Sequence, residues 1–359
     1  MLLAADRGEA APGLDDRVRS AVFEVVQKQR DLGVDLVNDG EMGKVGFAMY
    51  VKDRLTGFDG QSKWLGQRRP EMEDHPDFAE RWRATTDQTV LTTPACTSEI
   101  RVKDPSGVAR DIANLKAAAA AAGLPTERLF MTAASPGVIS HFFANQHYPT
   151  REAFIGALAK AMQPEYEAIA ESGILLQLDC PDLAMSRHSV FADLTLEEFR
   201  AQVALNLEAL NAAVRNIPAE RMRMHVCWGN YEGPHDYDVE LKDIVDLVLT
   251  AKPAGLSLEA CNPRHGHEWR VWERVSLPEG KYLVPGVIDS TNNYVEHPEL
   301  VAQRILNYAK IVGPERVIAG SDCGFGTVAS MATVAPSVTW SKFRSLKDGA
   351  EMASRELGL

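Results

Sequence analysis

Arg221-Met222-Arg223-Met224-His225-Val226-Cys227-Trp228-Gly229-Asn230 is the stretch on which the fold reading turns. It opens as a short apolar run of strand character, and residues two apart in an extended strand project from the same face. His225 and Cys227 therefore point the same way. An imidazole and a thiol side by side at a strand end match two ligands of a borderline metal such as Zn²⁺. A His-x-Cys pair is equally at home in core packing, so its meaning depends on what other strands bring to the same end.

Working outward, the pattern is regular from about residue 107. Helix 107–122, strand 128–132, helix 151–172, strand 174–179, helix 196–215, strand 222–227 and helix 239–250 follow one another. Strand 255–260, a short helix near 268–274, strand 282–288, helix 298–312, strand 316–320 and a last helix near 339–356 complete the series. Alternation of this kind implies parallel βαβ units. Upstream, residues 15–32 place apolar positions at helical spacing, Gly33 stops the helix, and Val34–Val37 reads as a buried strand. That strand runs into Asn38-Asp39-Gly40-Glu41-Met42-Gly43-Lys44, a turn rich in glycine and carboxylates where a βα loop belongs.

Residues 55–105 are irregular, with Arg68-Arg69-Pro70 and Asp74-His75-Pro76, and a hairpin is expected over Thr85–Val102. This segment reads as an insertion or lid. Seven strands result, each followed by a helix or a loop and helix, with none before the first helix. The expected architecture is α/β, a (β/α)₈ TIM-type barrel whose first strand is missing from this chain, forming one domain over residues 1–359. A doubly wound nucleotide-binding sheet fits less well. Gly320-Ser321-Asp322-Cys323-Gly324-Phe325-Gly326 is the nearest thing to a phosphate loop, but an acid and a cysteine stand between its glycines and no helix follows directly.

The 359 residues are 45% hydrophobic and 25% charged, within the range of globular chains. A net charge of −12 argues against nucleic acid or an anionic membrane as partner and favours small molecules. No apolar run reaches the roughly 18 residues of a membrane-spanning helix, and the opening Met1-Leu2-Leu3-Ala4-Ala5-Asp6-Arg7 is too soon charged for a secretory signal. A cytoplasmic location is expected. Five scattered cysteines (Cys96, Cys180, Cys227, Cys261, Cys323) suit reduced thiols better than a disulfide framework.

In a parallel barrel the reactive groups lie at the C-terminal strand ends. Going round the ring, those ends carry Asp39 and Glu41, Thr132 and Ser135, Asp179 and Asp182, His225 and Cys227, Glu259 and Cys261, Asp289, and Asp322 and Cys323. His225, Cys227, Glu259 and Cys323 come from three of these ends and supply N, S and O donors suited to Zn²⁺. Glu259 has a plain alternative as an ion-pair partner of Arg264, and Cys323 as a small loop hydrophobe.

These residues resemble the metal set of the cobalamin-independent methionine synthase family, in its C-terminal catalytic barrel. Asp39-Gly40-Glu41 is similar to that family's loop holding the amino-acid thiol, and Gln177-Leu178-Asp179-Cys180-Pro181 to its Gln-Ile-Asp-Glu-Pro strand end. The resemblance spans nearly the whole chain. It implies Zn²⁺ on His225, Cys227, Glu259 and Cys323, a thiol substrate alkylated as the metal-bound species, and Glu41 and Asp179 as catalytic residues gripping that thiol. The thiolate is the nucleophile, and metal coordination lowers a thiol's pKa to generate it.

Three departures stand out. The family's opening strand with Gly-Ser-(Phe/Leu)-Pro is absent, Asp289-Ser290-Thr291-Asn292 stands where the family has Asp-Ile-His-Ser, and there is one barrel where long synthases have two. The alkyl donor is accordingly read as a methyl-folate, a methyl-corrinoid or an epoxide, the last as in the related epoxyalkane–coenzyme M transferases. Arg264 is expected to bind a sulfonate or carboxylate, and His265 or His267 to protonate an alkoxide. Ser135, Trp228, Asn230 and Asp289 are expected at the substrate, with Tyr231 and His235 beside them. A reading of another class is a small-molecule-binding barrel with structural zinc and no turnover. The oligomeric state, homo-oligomer included, is left open.

Overall fold

A computed structural model describes residues 1–60, 62, 69–85, 93–329 and 333–359. Its centre is a six-stranded parallel sheet taken in chain order: β1 Phe130–Ala134, β2 Leu175–Asp179, β3 Met222–Val226, β4 Gly255–Leu258, β5 Tyr282–Ile288 and β6 Gly320–Ser321. Each strand pairs with the next, the order that right-handed crossovers through helices produce. The apolar strand residues are nearly all buried, as expected where both faces of a parallel sheet are covered.

Six long helices accompany the strands: α1 Leu14–Asp31, α2 Ser106–Ala121, α3 Arg151–Glu171, α4 Leu196–Ala213, α5 Pro298–Val312 and α6 Pro336–Leu357. Local signals explain their ends. Thr150 caps α3 by accepting from Ala153 N, and Thr195 and Glu198 form a reciprocal capping box at the start of α4. On α1, Val18, Val22, Val25, Val26 and Gln29 are buried at spacings of three and four, the face that a core-packed helix presents. No described helix is long and apolar enough to cross a membrane.

The sheet curls. Val37 makes a parallel bridge to Leu129 just before β1, a seventh position in the order. Beyond it, Phe47 N donates to Thr327 O, Ala329 N donates to Val45 O, and Gly46 bridges Val328. The loop after the first position thus hydrogen-bonds the loop after the last strand, and the two edges of the sheet face each other across the C-terminal mouth.

Several expectations change here. The structure is a curled six-stranded sheet of half-barrel form. The expected strand Val34–Val37 shrinks to the single Val37 bridge. The expected helix 239–250 is a 3-10 turn, Leu241–Asp243, and one α-turn, Val245–Val248, separated where Ile244 leaves helical geometry at φ −128. A helix not anticipated, Pro136–Phe142, follows β1 and is capped by Ser135. Within the expected hairpin 85–102, residues 86–92 lie outside the described residues. The strand that is described, Ala95–Cys96, pairs antiparallel with Phe58–Asp59. The inserted segment therefore closes at its base and carries two helices, Pro70–Asp74 and Pro76–Thr85, between.

Candidate metal centre

Strand register sets the stage. Ala134, Asp179, His225 and Ser257 are lateral partners across β1 to β4, so Asp179 and His225 occupy one layer and project to one side. Cys227 follows two residues after His225, just past the end of β3. Cys323 lies just past β6, where Gly286 on β5 gives the last strand its approach. A Cβ at Gly286 would sit 2.1 Å from Asp322 Oδ1, so any other residue would expel that carboxylate.

Donor atoms of His225, Cys227 and Cys323 all lie within 4.8 Å of one another. The two sulfurs are 3.2 Å apart as free thiols, and Cys323 Sγ is 3.7 Å from Glu259 Oε1. One ring nitrogen of His225, Nδ1, is 3.3 Å from Ser257 Oγ, which leaves the other for a ligand. Burial, with Arg223 nearby, pulls His225 down to about 4 and keeps the imidazole neutral. At Cys227 the hydrogen bond shared with Cys323 acts downward while burial and the Glu259 charge act upward, leaving the thiol at about 11. Cys323 is pushed up by Cys227 and by burial. A neutral imidazole and two buried, facing thiols beside a carboxylate form a donor set whose sulfur and imidazole suit Zn²⁺.

Glu259 is held from both sides. Its Oε1 accepts from Trp228 N at 2.7 Å and its Oε2 from Asn262 Nδ2 at 2.7 Å. Burial and the neighbouring Asp322 push it up to about 7. Asp322 in turn accepts the backbone N–H groups of Ala260, Cys261 and Asn262 at 2.7 to 3.0 Å, pinning the turn that follows Glu259. Arg264 is exposed and donates to Asp236 O, so its plain alternative as the Glu259 partner is not the arrangement found.

A second group is built around Asp179, the lateral neighbour of His225. Asp39 Oδ1 accepts Glu41 N and fixes a turn in which Glu41 takes φ 54. Glu41 Oε1 accepts from Thr132 Oγ1 at 2.6 Å and from Lys44 Nζ at 3.2 Å, while Lys44 also reaches Thr132 O at 2.8 Å. Asp179 accepts from Gln177 Nε2 at 2.9 Å, and Gln177 accepts from Arg223 Nε at 2.7 Å. Burial, then the Glu41 charge, raise Asp179 to about 7. Two carboxylates pushing on each other in a buried mouth favour an incoming cation such as an ammonium.

Other expected site residues sit elsewhere. Trp228 is 0% exposed, its Nε1 donates to Val239 O, and its ring stacks near His265, so it packs in the interior. His265 is not an available proton donor. Its Nε2 and Nδ1 each lie 2.9 Å from a carboxylate, Asp238 and Glu268. Burial acts downward on it, but those two partners prevail and lift it to about 10. Ser135 donates to Asp182 and caps the helix after β1. Asp289 accepts Thr291 N and Oγ1 within its own turn. Asn230 binds Gly324 O and Thr327 Oγ1 and accepts from Ser290 Oγ, tying the loop after β3 to the loop after β6. His267 is exposed.

Sequence reading missed Asn262, Lys44 and a polar cluster in which Asp238 meets His188, His235 and His265 at 2.8 to 2.9 Å. Lys44 and Asn262 stood one turn from named carboxylates, a usable signal. Nothing in the sequence relates His188 to residue 238.

No family model matches the chain. It is 25% identical to the methionine synthase of Saccharolobus solfataricus over 349 residues, covering 96% of this chain and 86% of that protein. It is likewise 25% identical to the methionine synthase of Thermococcus kodakarensis over 344 residues, covering 95% and 84%. Among solved structures, a B12-independent methionine synthase from Shewanella sp. W3-18-1 in complex with selenomethionine superposes with TM-score 0.73 at 20% identity, covering 97% of this chain and 91% of that one. A putative vitamin-B12 independent methionine synthase from Listeria monocytogenes superposes with TM-score 0.63 at 18% identity, covering 98% and 93%. The resemblance read from the residues is thus met by relatives of that name along most of the chain.

Proposed function

We propose that this chain is a zinc-dependent thiol S-methyltransferase of the cobalamin-independent methionine synthase type, with homocysteine as methyl acceptor. The observation that carries this reading is the convergence of His225, Cys227 and Cys323 within 4.8 Å, with Asp179 on the strand beside His225. The relatives' names support the same reaction. In it the acceptor S–H loses its proton, a sulfur–carbon bond forms, the methyl–donor bond breaks, and the donor's leaving atom takes a proton.

His225, Cys227, Glu259 and Cys323 would hold Zn²⁺, which when bound lowers the acceptor thiol's pKa so that thiolate is present at neutral pH. The chain's own side chains orient the reactants. Asp179 and Glu41 take the acceptor's ammonium, and Lys44 with Thr132 keeps the Glu41 carboxylate aimed into the mouth. Glu259, whose oxygens are already bonded by Trp228 and Asn262, would be the weakest of the four donors. We read the six strands and Val37 as seven positions of a single (β/α)₈ domain. The joined loops 45–47 and 327–329 span the eighth.

The test is an assay of the zinc-loaded protein with homocysteine and, separately, methyl-folate and methylcobalamin, with coenzyme M plus an epoxide as a further arm. Methylation of homocysteine by one methyl donor is expected, with Cys227→Ser and Cys323→Ser each losing stoichiometric zinc and at least ~10³-fold of the rate. Full zinc content in either variant, or turnover only with the epoxide, would overturn the proposal.

A further inference from the structure

The inserted segment reaches the loop beyond β3 through one fully buried acid. Glu71, in the short helix Pro70–Asp74, accepts the Tyr231 hydroxyl through Oε1 and the His235 backbone N–H through Oε2 at 3.1 Å. The Arg69 guanidinium covers the outer face of the Tyr231 ring, 4.3 Å from its centre. The tyrosine in turn is packed on Gly229. Tyr231 N donates to Gly229 O at 3.0 Å, and a Cβ at Gly229, where φ is 120, would lie 2.8 Å from the ring. Only glycine allows that contact. The last link is Gly229 N, which donates to Cys227 Sγ at 3.2 Å.

An N–H donor on a ligand sulfur withdraws charge from it and fixes its direction, so groups that orient the donor act on the sulfur. We propose that Glu71 is a positioning residue for the candidate metal centre: by holding Tyr231 against Gly229 it aims the Gly229 N–H at Cys227 Sγ. The insertion then completes the site instead of merely lying over it. Clamping alone would not require a buried acid. The outer contacts of the same segment, His75 with Asp236 at 3.0 Å and Tyr237 with Asp74 at 2.5 Å, are exposed. Exposed pairs of that kind contribute little to stability. In Glu71 the segment places a carboxylate where desolvation is costly unless its partners are fixed.

The spectral part of the test rests on the metal reading of this site. Amide exchange does not, so the two can fail separately. In the metal-free protein, exchange at Gly229 is expected to rise about tenfold in Glu71→Ala, the size of losing one buried hydrogen-bonded pair. It is expected to rise less in Glu71→Gln and Tyr231→Phe, and not at all in His75→Ala. In the cobalt-substituted protein, the sulfur-to-metal charge-transfer band is expected to move in Glu71→Ala and to return toward wild type in Glu71→Gln. Unchanged Gly229 exchange in a folded Glu71→Ala protein would overturn the proposal. Should that variant not fold, unchanged exchange in Tyr231→Phe decides the same way. A wild-type protein that takes up no cobalt while Gly229 still responds would remove the metal reading and leave the coupling standing.

Discussion

Asp179 shows how much one side chain's surroundings matter. Its carboxyl is raised from 3.8 to about 7 by burial and by Glu41, so the folded chain holds that proton more tightly than the unfolded one. The sign follows: this group favours the fold below pH 4 and the advantage is lost as pH rises through about 7. Compared with Asp179→Asn, the metal-free wild type is expected to lose on the order of a kcal/mol or more of stability between pH 5 and pH 8, read from urea unfolding at each pH. The same variant should raise KM for homocysteine ~10²-fold and much less for a thiol lacking the ammonium. Equal pH slopes in the two proteins would mean that Asp179 is not under this pressure. At this scale the convergence of His225, Cys227 and Cys323 was legible, because a residue type and a strand end coincide there. Nothing in the sequence showed that the polar atoms of Trp228 and His265 are occupied by Val239, Asp238 and Glu268. Such pairings depend on neighbours distant along the chain.

Among elements, the loop after β4 and the turn after β3 act as one piece because His265 joins them. Its pKa is raised from 6.5 to about 10: burial opposes the charge, but the bonds to Asp238 and Glu268 outweigh it. A raised histidine contributes fully below its unfolded value, so this link is intact below about pH 6.5 and fades as pH climbs through about 10. Wild type is expected to lose stability over that window, and His265→Gln to be less stable at pH 6 with a flatter profile above it. The effect is on the order of a few kcal/mol at most, since paired buried charges also bear desolvation. A wild-type profile as flat as the variant's would contradict the assignment. Long helices were legible because their caps and apolar spacing are local, as at Thr195–Glu198 in α4. Segment 239–250 was not: the chain breaks at Ile244, where φ is −128, and turns instead of winding on. The strand at 34–37 failed for a similar reason: only Val37 meets a neighbour.

For the whole molecule, alternating strands and helices gave the parallel sheet and its order, while the manner of closure was invisible. Loops 45–47 and 327–329 join through backbone groups, which carry no sequence signature. Their pairing joins the loop that carries Glu41 and Lys44 to the loop that follows Cys323. The proposed reaction requires one divalent ion held by three strand ends and open to an incoming sulfur. X-ray absorption at the zinc edge, before and after adding homocysteine, measures that directly. Two sulfur neighbours with nitrogen and oxygen are expected at first, and three sulfurs with the oxygen displaced once the thiol is present. An unchanged shell, or zinc without sulfur neighbours, would contradict it.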